Sequence, residues 1–405
     1  MTPSTSLHVV QVSFLIDPQR SPAQILNDWW PLVDAAEMVA QTGMRVSVVQ
    51  ACRQPESLTR NAVSYHFVSP ERGQSTIVRG SAFAALIRGL KADVFHVHGL
   101  GFPREVLALA GLAPDVPIFL QDHASRVPRF WRRRVWRRGL SAAAGVSFCA
   151  LEQAQPFLQA GLLHPQAAVA EIAECSSRFT PGDRHAARRA TGLHGDPAVL
   201  CVGNLDPNKD PLTVLGGISR AVQRLPALQL WCCFRQSPLL ADVRSRIDAD
   251  PQLSTRVHLL GNVPHERIEQ LMQAADLFVL GSHREGSGCS VIEALGCGLP
   301  PVVTDIPSFR ALTAAGQVGA LWPCGDPHKL CEALLSTAAR PREKMRLAVR
   351  AHFDAEVSFE AVGRKLVAAY EDLLQGKRMD EGLTRQSPPS PPVRQDGLRW
   401  LNRHR

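Results

Sequence analysis

Residues Asp276–Asp305 read "DLFVLGSHREGSGCSVIEALGCGLPPVVTD": an apolar run, a glycine-rich turn, a helical stretch and a second apolar run. Apolar runs separated by helical stretches are typical of a parallel sheet that helices cover on both faces. Five such runs occur in the first half of the chain, and six follow the polar, Gly- and Pro-containing stretch Phe179–Pro197. The sequence therefore predicts an α/β fold with two doubly wound, Rossmann-like domains that face each other across a cleft.

The break at Phe179–Pro197 gives the domain boundaries of the 405-residue chain, which is too long for one ordinary core. We predict an N-terminal Rossmann-like domain over residues 1–185 and a C-terminal one over residues 196–357. A helix over residues 358–376 is expected to pack back toward the N-terminal domain. The Pro-rich, basic tail over residues 379–405 is predicted to be disordered.

The composition is that of a globular protein, with 45% hydrophobic and 20% charged residues. No apolar run approaches the roughly 18 residues of a transmembrane helix. The N-terminus lacks the basic region and cleavage site of a signal peptide. The ten cysteines form no CxxC pair, which favours reduced thiols. Together these features predict a cytoplasmic protein.

The net charge of +8 is concentrated in one stretch, Arg126–Arg138, which reads "RVPRFWRRRVWRR". It contains seven arginines, two tryptophans and no acidic residue. One interpretation is a solvated helix face whose Trp and Phe side chains pack inward. The alternative is peripheral contact with an anionic membrane, on its inner face. Nucleic acid is not the expected partner, because no recognition motif accompanies the stretch.

Lys209 lies in the turn of a second strand–turn–helix unit, Ala198–Leu215, at the carboxyl end of the strand. Only six of the chain's 45 basic residues are lysines, so a lysine at this turn is more informative than an arginine. Its compact ammonium group suits a diphosphate, and the alternative is a plain surface charge. Asp210 is predicted to cap the following helix, with Pro211 at its first position.

Glu285 and Glu293 lie eight residues apart around the glycine-rich turn of the opening stretch. The backbone amides of residues 288–290 would point out of a helix N-terminus, which attracts anions. Glu285 is stable near that terminus, and Glu293 could reach a neutral hydroxyl group such as that of a ribose. The alternative is that Glu285 is a helix cap and Glu293 a buried carboxylate bonded to backbone amides.

Three segments, in order, resemble the family 4 retaining glycosyltransferases, the glycosyl transferases of group 1, which have the GT-B fold. They are "VGNLDPNK" (Val202–Lys209), "LLGNVPHERIEQLMQAADLFVLGS" (Leu259–Ser282) and the Glu-x7-Glu block "EGSGCSVIEALGCGLPPVVTD" (Glu285–Asp305). In the first half, "DVFHVHG" (Asp93–Gly99) and "QDHAS" (Gln121–Ser125) are similar to the family's pattern. The resemblance covers most of residues 90–375 and is stronger in the second half.

The resemblance implies that Glu285, Lys209 and His123 are the catalytic residues. Glu285 would contact hydroxyl groups of the donor sugar, Lys209 would hold the diphosphate, and His123 would lie beside the sugar. His98, on a neighbouring strand end, is a predicted substrate contact. The remaining donor-binding residues that the resemblance implies are Gly203, Asn204, Asn262, Val263, Arg284, Gly286, Ser287, Gly288, Cys289, Ser290 and Glu293.

Within that donor set, Glu293 would bind the ribose, the loop Asn262–Pro264 would flank the base, and residues 286–290 would offer backbone amides. The chain departs from the family at Asn204, where an arginine is usual, so Arg284 is a candidate for the missing cation. It also lacks the family's glycine pair in the loop Asp17–Gln24. In the family that loop usually lies near donor and acceptor, so the identity of the acceptor is what the resemblance predicts least well.

The resemblance implies a hexosyltransferase of carbohydrate biosynthesis that uses a nucleoside-diphosphate sugar and an unidentified acceptor. The N-terminal domain would take the acceptor and the C-terminal domain the donor, with retention of configuration and without a metal or other cofactor. The alternatives are a sugar-nucleotide epimerase on the same fold and a catalytically inactive sugar-nucleotide-binding protein. A dinucleotide-dependent oxidoreductase is disfavoured because no GxGxxG follows a strand.

Overall fold

The computed structural model describes residues 6–17, 19–72, 74–163 and 167–376. The tail predicted to be disordered, residues 379–405, lies outside this part of the chain. Among the described residues, no helix combines the length and hydrophobicity needed to cross a bilayer.

The first sheet has eight strands in the order β3-β4-β2-β1-β5-β6-β7-β8, and every pairing is parallel except that between β3 and β4. Its strands are β1 (His8–Ser13), β2 (Arg45–Ala51), β3 (Glu56–Arg60), β4 (Val63–Val68), β5 (Val94–His98), β6 (Ile118–Gln121), β7 (Gly145–Phe148) and β8 (Ala168–Glu171). The five predicted runs did not include β3, β4 or β8. β3 is an exposed edge strand with mostly polar residues, so its sequence contains no apolar run.

Helices connect these strands and cover both faces of the sheet. They are α1 (Pro22–Asp28), α2 (Trp30–Ala40), α3 (Ser81–Leu90), α4 (Pro103–Leu112), α5 (Arg133–Leu140) and α6 (Gln155–Gln159). Three short 3-10 turns occupy Ile77–Arg79, Phe130–Arg132 and Leu151–Ala154.

The second sheet has six parallel strands in the order β11-β10-β9-β12-β13-β14, the doubly wound order of dinucleotide-binding folds. Its strands are β9 (Ala198–Val202), β10 (Gln229–Cys233), β11 (Val257–Gly261), β12 (Leu277–Leu280), β13 (Pro301–Thr304) and β14 (Ala320–Trp322). All six predicted runs of this half form strands. They are apolar, and β9, β10, β12 and β13 are mostly buried, which is why the sequence shows them clearly.

The helices of the second half begin with α7 (Arg184–Thr191), which precedes β9. The others are α8 (Pro211–Ala221), α9 (Leu240–Asp248), α10 (Pro251–Ser254), α11 (His265–Ala274), α12 (Cys289–Gly296), α13 (Pro307–Leu312), α14 (Pro327–Ala338), α15 (Arg342–Glu356) and α16 (Phe359–Leu374). The side chain of Asp210 accepts a hydrogen bond from the Thr213 amide at 3.2 Å, which confirms the predicted cap of α8.

The last helix joins the two halves of the molecule, because α16 packs against α2. Gly363 permits this contact: a Cβ at this position would lie 2.6 Å from the Met38 carbonyl oxygen. Farther along α16, Tyr370 is buried, and its hydroxyl group lies 2.7 Å from Nδ1 of His96 on β5. Helix α16 therefore supports the part of β5 that leads to the cleft.

Candidate active site

The candidate site lies between the carboxyl ends of the two sheets, where ligands bind in doubly wound folds. The turn after β9 provides Lys209, and the turn after β12 provides Glu285. From the first sheet, β5 ends at His98 and β6 is followed by His123. The segment between β8 and α7 contributes Glu174, which contacts both sides.

Lys209 and Glu285 form a direct ion pair, although 76 residues separate them. Both side chains are largely shielded from solvent. The supporting turns are also bonded: the Asn208 side-chain amide donates to the Arg284 carbonyl oxygen at 3.0 Å, and the His283 amide donates to the Asn208 carbonyl oxygen at 2.8 Å. The structure therefore brings together the lysine predicted to contact phosphate and the carboxylate predicted to contact the sugar.

Glu293 lies on α12, and its carboxylate is bonded to a histidine side chain. Its Oε1 lies 2.7 Å from Nε2 of His265, the first residue of α11. The hydrogen bond to Glu293 raises the pKa of His265, with burial opposing it. The loop with Asn262 and Val263 directly precedes α11, so the predicted ribose and base contacts lie on adjoining elements.

The glycine-rich turn is shaped by two positions that exclude a side chain. Gly288 has φ +84° at the start of α12, and a Cβ on it would lie 2.6 Å from Cε1 of Phe309. A Cβ on Gly286 would lie 2.6 Å from Oε1 of Glu174. Glycine is needed at Gly288 because of its positive φ, whereas a side chain at Gly286 would displace the Glu174 carboxylate.

The remaining turn residues contact the linker that precedes α7. The buried Ser287 hydroxyl accepts a hydrogen bond from the Glu174 amide at 2.9 Å. The Cys289 sulfur lies 3.1 Å from the Cys175 sulfur, while Ser290 follows in the first turn of α12. These contacts hold the start of α12 against the N-terminal half.

Three histidines lie on the N-terminal side of the cleft in a hydrogen-bonded and stacked group. His98 Nδ1 is 3.2 Å from His123 Nε2, and His98 Nε2 is 3.0 Å from Gln11 Oε1. The rings of His96 and His98 stack with centroids 4.6 Å apart. Burial lowers the pKa of His98 well below its ordinary value and that of His96 to about 3, so both are neutral. His98 contacts His123 directly and also lines a cavity of about 530 Å³.

Glu174 is a site residue that the sequence analysis missed. Its Oε2 lies 2.7 Å from His123 Nδ1, and its Oε1 accepts a hydrogen bond from the Ser287 amide at 2.9 Å. One carboxylate therefore connects the predicted sugar-side histidine with the predicted donor turn. The only available sequence signal was an acid just after β8, at the carboxyl edge of a parallel sheet.

Gln153 is a second missed residue. Its side-chain amide donates to the carbonyl oxygens of Glu285 and Gly286 at 2.9 and 3.0 Å. It lies in the 3-10 turn after β7, so it fixes the donor turn from the opposite domain. No spacing in the sequence relates it to residues more than 130 positions away.

Asn204 does not replace the family's arginine with another cation. Its Oδ1 accepts a hydrogen bond from the Gln236 amide at 3.1 Å, which ties it to the segment after β10. The neighbouring Gly203 is close to the lysine, because a Cβ on it would lie 3.6 Å from Cδ of Lys209. The Asn204 side chain therefore helps to anchor the turn that carries Lys209.

Arg284 lines a cavity of about 570 Å³ between the two halves, together with Arg126 and Glu285. Its Nη1 lies 3.4 Å from the Ser125 carbonyl oxygen of the N-terminal half. Burial and the nearby Arg126 guanidinium lower the pKa of Arg284. The cavity therefore contains two guanidinium groups, which can bind an anion, beside the carboxylates of Asp122, Glu152 and Glu285.

Among the described residues, no three His, Cys, Asp or Glu side chains are grouped so that they could hold a metal ion. The histidines of β5 stack on each other and bond to Tyr370, Gln11 and His123.

The expectation of inward packing in Arg126–Arg138 is wrong for two of its three aromatic side chains. Trp136 is buried on α5, but Phe130 and Trp131 are 76% and 58% exposed. They belong to a 3-10 turn that precedes α5, and not to a helix face directed at the core. The membrane contact stays a prediction.

Comparison with known proteins agrees with this geometry. Residues 196–340 match the model of the family Glycosyl transferases group 1. The chain is 34% identical over 203 residues to a D-inositol 3-phosphate glycosyltransferase of Geodermatophilus obscurus, covering 48% of this chain and 44% of that protein. It is 31% identical over 199 residues to the enzyme of the same name from Mycobacterium bovis, covering 47% and 41%. The chain thus spans less than half the length of these curated relatives.

Solved structures match over nearly the whole chain. A glycosyltransferase from Rickettsia africae has a TM-score of 0.71 at 13% identity, covering 92% of this chain and all of that one. Anabaena Alr3699/HepE in complex with UDP has a TM-score of 0.68 at 15% identity, covering 90% of this chain and all of that one. The fold is therefore the predicted GT-B fold. The resemblance to the group 1 glycosyltransferases is also confirmed, with the family match on the C-terminal domain.

Proposed function

We propose that this chain transfers a hexosyl group from a nucleoside-diphosphate sugar to an acceptor bound across the cleft. The observation that carries the proposal is the Lys209–Glu285 ion pair beside the N-terminus of α12. A cation, a carboxylate and helix amides in this order suit a diphosphate and the sugar attached to it. The UDP complexes of Alr3699/HepE, a protein of the same fold, support a nucleotide sugar as the donor.

In this proposal Lys209 and the α12 amides stabilise the charge that develops on the departing diphosphate. Glu285 exchanges its bond with Lys209 for hydroxyl groups of the sugar, and Glu293 binds the ribose. The groups are preorganised, since the turns that carry them are already hydrogen-bonded to the rest of the protein. Such preorganisation is usually the largest single contribution to catalysis.

We further propose family 4 chemistry, with retention of configuration and without a metal ion. Lys209, Arg284 and the α12 amides are the positive groups that a diphosphate leaving group needs. Glu174 is the carboxylate nearest to His123, and both of its oxygens are engaged by hydrogen-bonding partners. This favours a route in which the leaving phosphate deprotonates the acceptor on the same face of the sugar.

The acceptor is proposed to approach from the cavity lined by His98 and His123. The curated relatives are named for D-inositol 3-phosphate, so a phosphorylated polyol is the first acceptor to test. A cytoplasmic position, peripheral on the inner face of a membrane, is part of the proposal.

The test is incubation with UDP-, GDP- and ADP-sugars, with and without D-inositol 3-phosphate, in the presence of EDTA. Acceptor-dependent release of nucleoside diphosphate is expected with at least one donor, and NMR of the product gives the anomeric configuration. Failure to bind any nucleotide sugar would remove the transferase proposal. Conversion of the donor into an epimeric nucleotide sugar without an acceptor would favour an epimerase, and binding without turnover an inactive binding protein.

A further inference from the structure

The stretch Arg126–Arg138 takes no part in the proposed transfer, and we refer to its exposed side chains as the arginine surface. The exposed arginines on it are Arg126, Arg129, Arg132, Arg134, Arg137 and Arg138. Phe130 and Trp131 project from the same surface, with ring centroids 5.0 Å apart. No acidic residue occurs within the stretch itself.

The orientation of the arginine surface is fixed by the packing beneath it. A Cβ on Gly139 of α5 would lie 2.5 Å from the Pro103 backbone, so α5 is in close contact with α4. Trp136 and Leu140 are buried on the same inner side of α5. The outward direction of the arginines therefore follows from the fold and does not require a rearrangement.

We propose that the arginine surface docks on an anionic lipid bilayer, with Phe130 and Trp131 inserted at the headgroup level. Arginines attract anionic headgroups, and exposed aromatic rings prefer the boundary between headgroups and acyl chains. A nucleic acid would also match the charge, but two rings packed edge to face offer no open stacking platform of the usual kind. The observations therefore favour the bilayer.

Docking in this orientation brings the cleft to the membrane. Ser125, Arg126 and Val127 line the cavity of about 570 Å³ between the two halves. Arg126 thus belongs both to the arginine surface and to the cavity wall. The mouth of the candidate site lies beside the bilayer when the surface is docked.

The test is co-sedimentation of the full chain with vesicles of phosphatidylglycerol and phosphatidylcholine, or of phosphatidylcholine alone. Binding is expected only to the anionic vesicles, and it should weaken as the salt concentration rises. Arg132, Arg134 and Arg138, changed together to alanine, should lower partitioning about a hundredfold, because each arginine near an anionic surface contributes roughly a fivefold factor. These three side chains are exposed and form no hydrogen bond or ion pair with other described residues, so the fold is expected to tolerate their removal.

The matched control changes Arg220, Arg224 and Arg244, three exposed arginines of the C-terminal domain, to alanine and removes the same charge. For the aromatic residues, Phe130→Ser with Trp131→Ser is compared with Leu347→Ser, which is 71% exposed on α15. Wild-type partitioning is expected for both controls. No binding to anionic vesicles, or an equal loss in the control triple variant, would overturn the proposal.

A parallel binding measurement with short double-stranded DNA and RNA distinguishes the bilayer from a nucleic acid as the partner. Nucleic-acid binding that the Arg132/Arg134/Arg138 variant abolishes, together with no vesicle binding, would assign the surface to nucleic acid instead. Because the vesicle assay requires no donor or acceptor, its result is independent of whether the chain transfers a sugar.

Discussion

The two sides of the cleft hold their polar groups in opposite electrostatic states. On the C-terminal side, Lys209 pairs with Glu285, and Glu293 bonds to a histidine whose pKa it raises. On the N-terminal side, burial lowers the pKa values of His96 and His98, so these two histidines are neutral. The chain of hydrogen bonds ends at His123, which bonds to the Glu174 carboxylate. The C-terminal side thus carries paired charges that suit a charged ligand, whereas the buried histidines of the N-terminal side position neighbouring groups without adding charge.

The largest effect is expected on the charged side. Lys209→Ala should lower kcat by about 10²–10³, because one preorganised partner of the phosphate charge is removed. Release of nucleoside diphosphate at saturating donor measures it. Lys329→Ala is the control, since the ammonium group of this exposed lysine bonds to Glu332 in its own helix turn, at 2.7 Å. Unchanged turnover of Lys209→Ala would contradict the proposal that the C-terminal side of the cleft stabilises the charge of the diphosphate.

On the N-terminal half, substitution of Asp34 on α2 tests how much a buried charge lowers the stability of this side. Burial raises the pKa of Asp34 from its ordinary 3.8 to about 6, with Arg178 opposing the shift. The native state then binds a proton more tightly than the unfolded state, so stability falls as the pH rises from about 4 to 6 and stays lower above. Asp34→Asn should increase the free energy of unfolding at pH 8 by up to about 3 kcal/mol.

Urea unfolding at pH 4 and pH 8 measures this effect, with a clear gain expected only at pH 8. Asp242→Asn, an exposed carboxylate of α9, should show no gain at either pH. A loss of stability in Asp34→Asn at pH 8 would mean that the ion pair with Arg178, at 3.3 Å, outweighs burial.

Glu174 connects the two sides, and Glu174→Gln should lower kcat about tenfold. A charge-assisted hydrogen bond to His123 becomes a neutral one, which is worth roughly 1–2 kcal/mol. Because the Ser287 amide can still donate to the new amide oxygen, the KM for the donor should change little. Glu171→Gln, at the exposed end of β8, is the control. A rise in KM at constant kcat would place the role of Glu174 in the donor turn instead.

The smallest effect is expected at His265, which is half-exposed. Its pKa is raised by Glu293, so the stability from this pair is fully present below about pH 6.5 and is lost as the pH rises through the folded-state pKa. His265→Ala should lower the free energy of unfolding by less than about 1 kcal/mol, and more at pH 5.5 than at pH 9. His328→Ala, an exposed histidine of α14, should show no such pH dependence.

The same contrast between the two halves explains what sequence analysis predicted of the fold. All six strands of the second sheet are short and apolar, four of them (β9, β10, β12 and β13) are mostly buried, and each was visible as a run. In the first sheet, β3 has exposed, polar residues and pairs antiparallel at the edge, so no apolar pattern marks it. A continuous apolar run marks a strand in the sequence even at a sheet edge, as in β11, whereas the polar edge strand β3 leaves no such run.

The sequence by itself determined the α/β class, the doubly wound second sheet and the candidate residues Lys209, Glu285 and Glu293, because these depend on local periodicity and short motifs. Only the tertiary structure decided that Lys209 bonds to Glu285, that Glu174 and Gln153 hold the donor turn, and that Phe130 and Trp131 face outward. Contacts between residues more than 70 positions apart depend on how the two sheets meet. The spacing of residues along the chain does not predict these contacts, because they form only when side chains of the two domains pack against each other across the cleft.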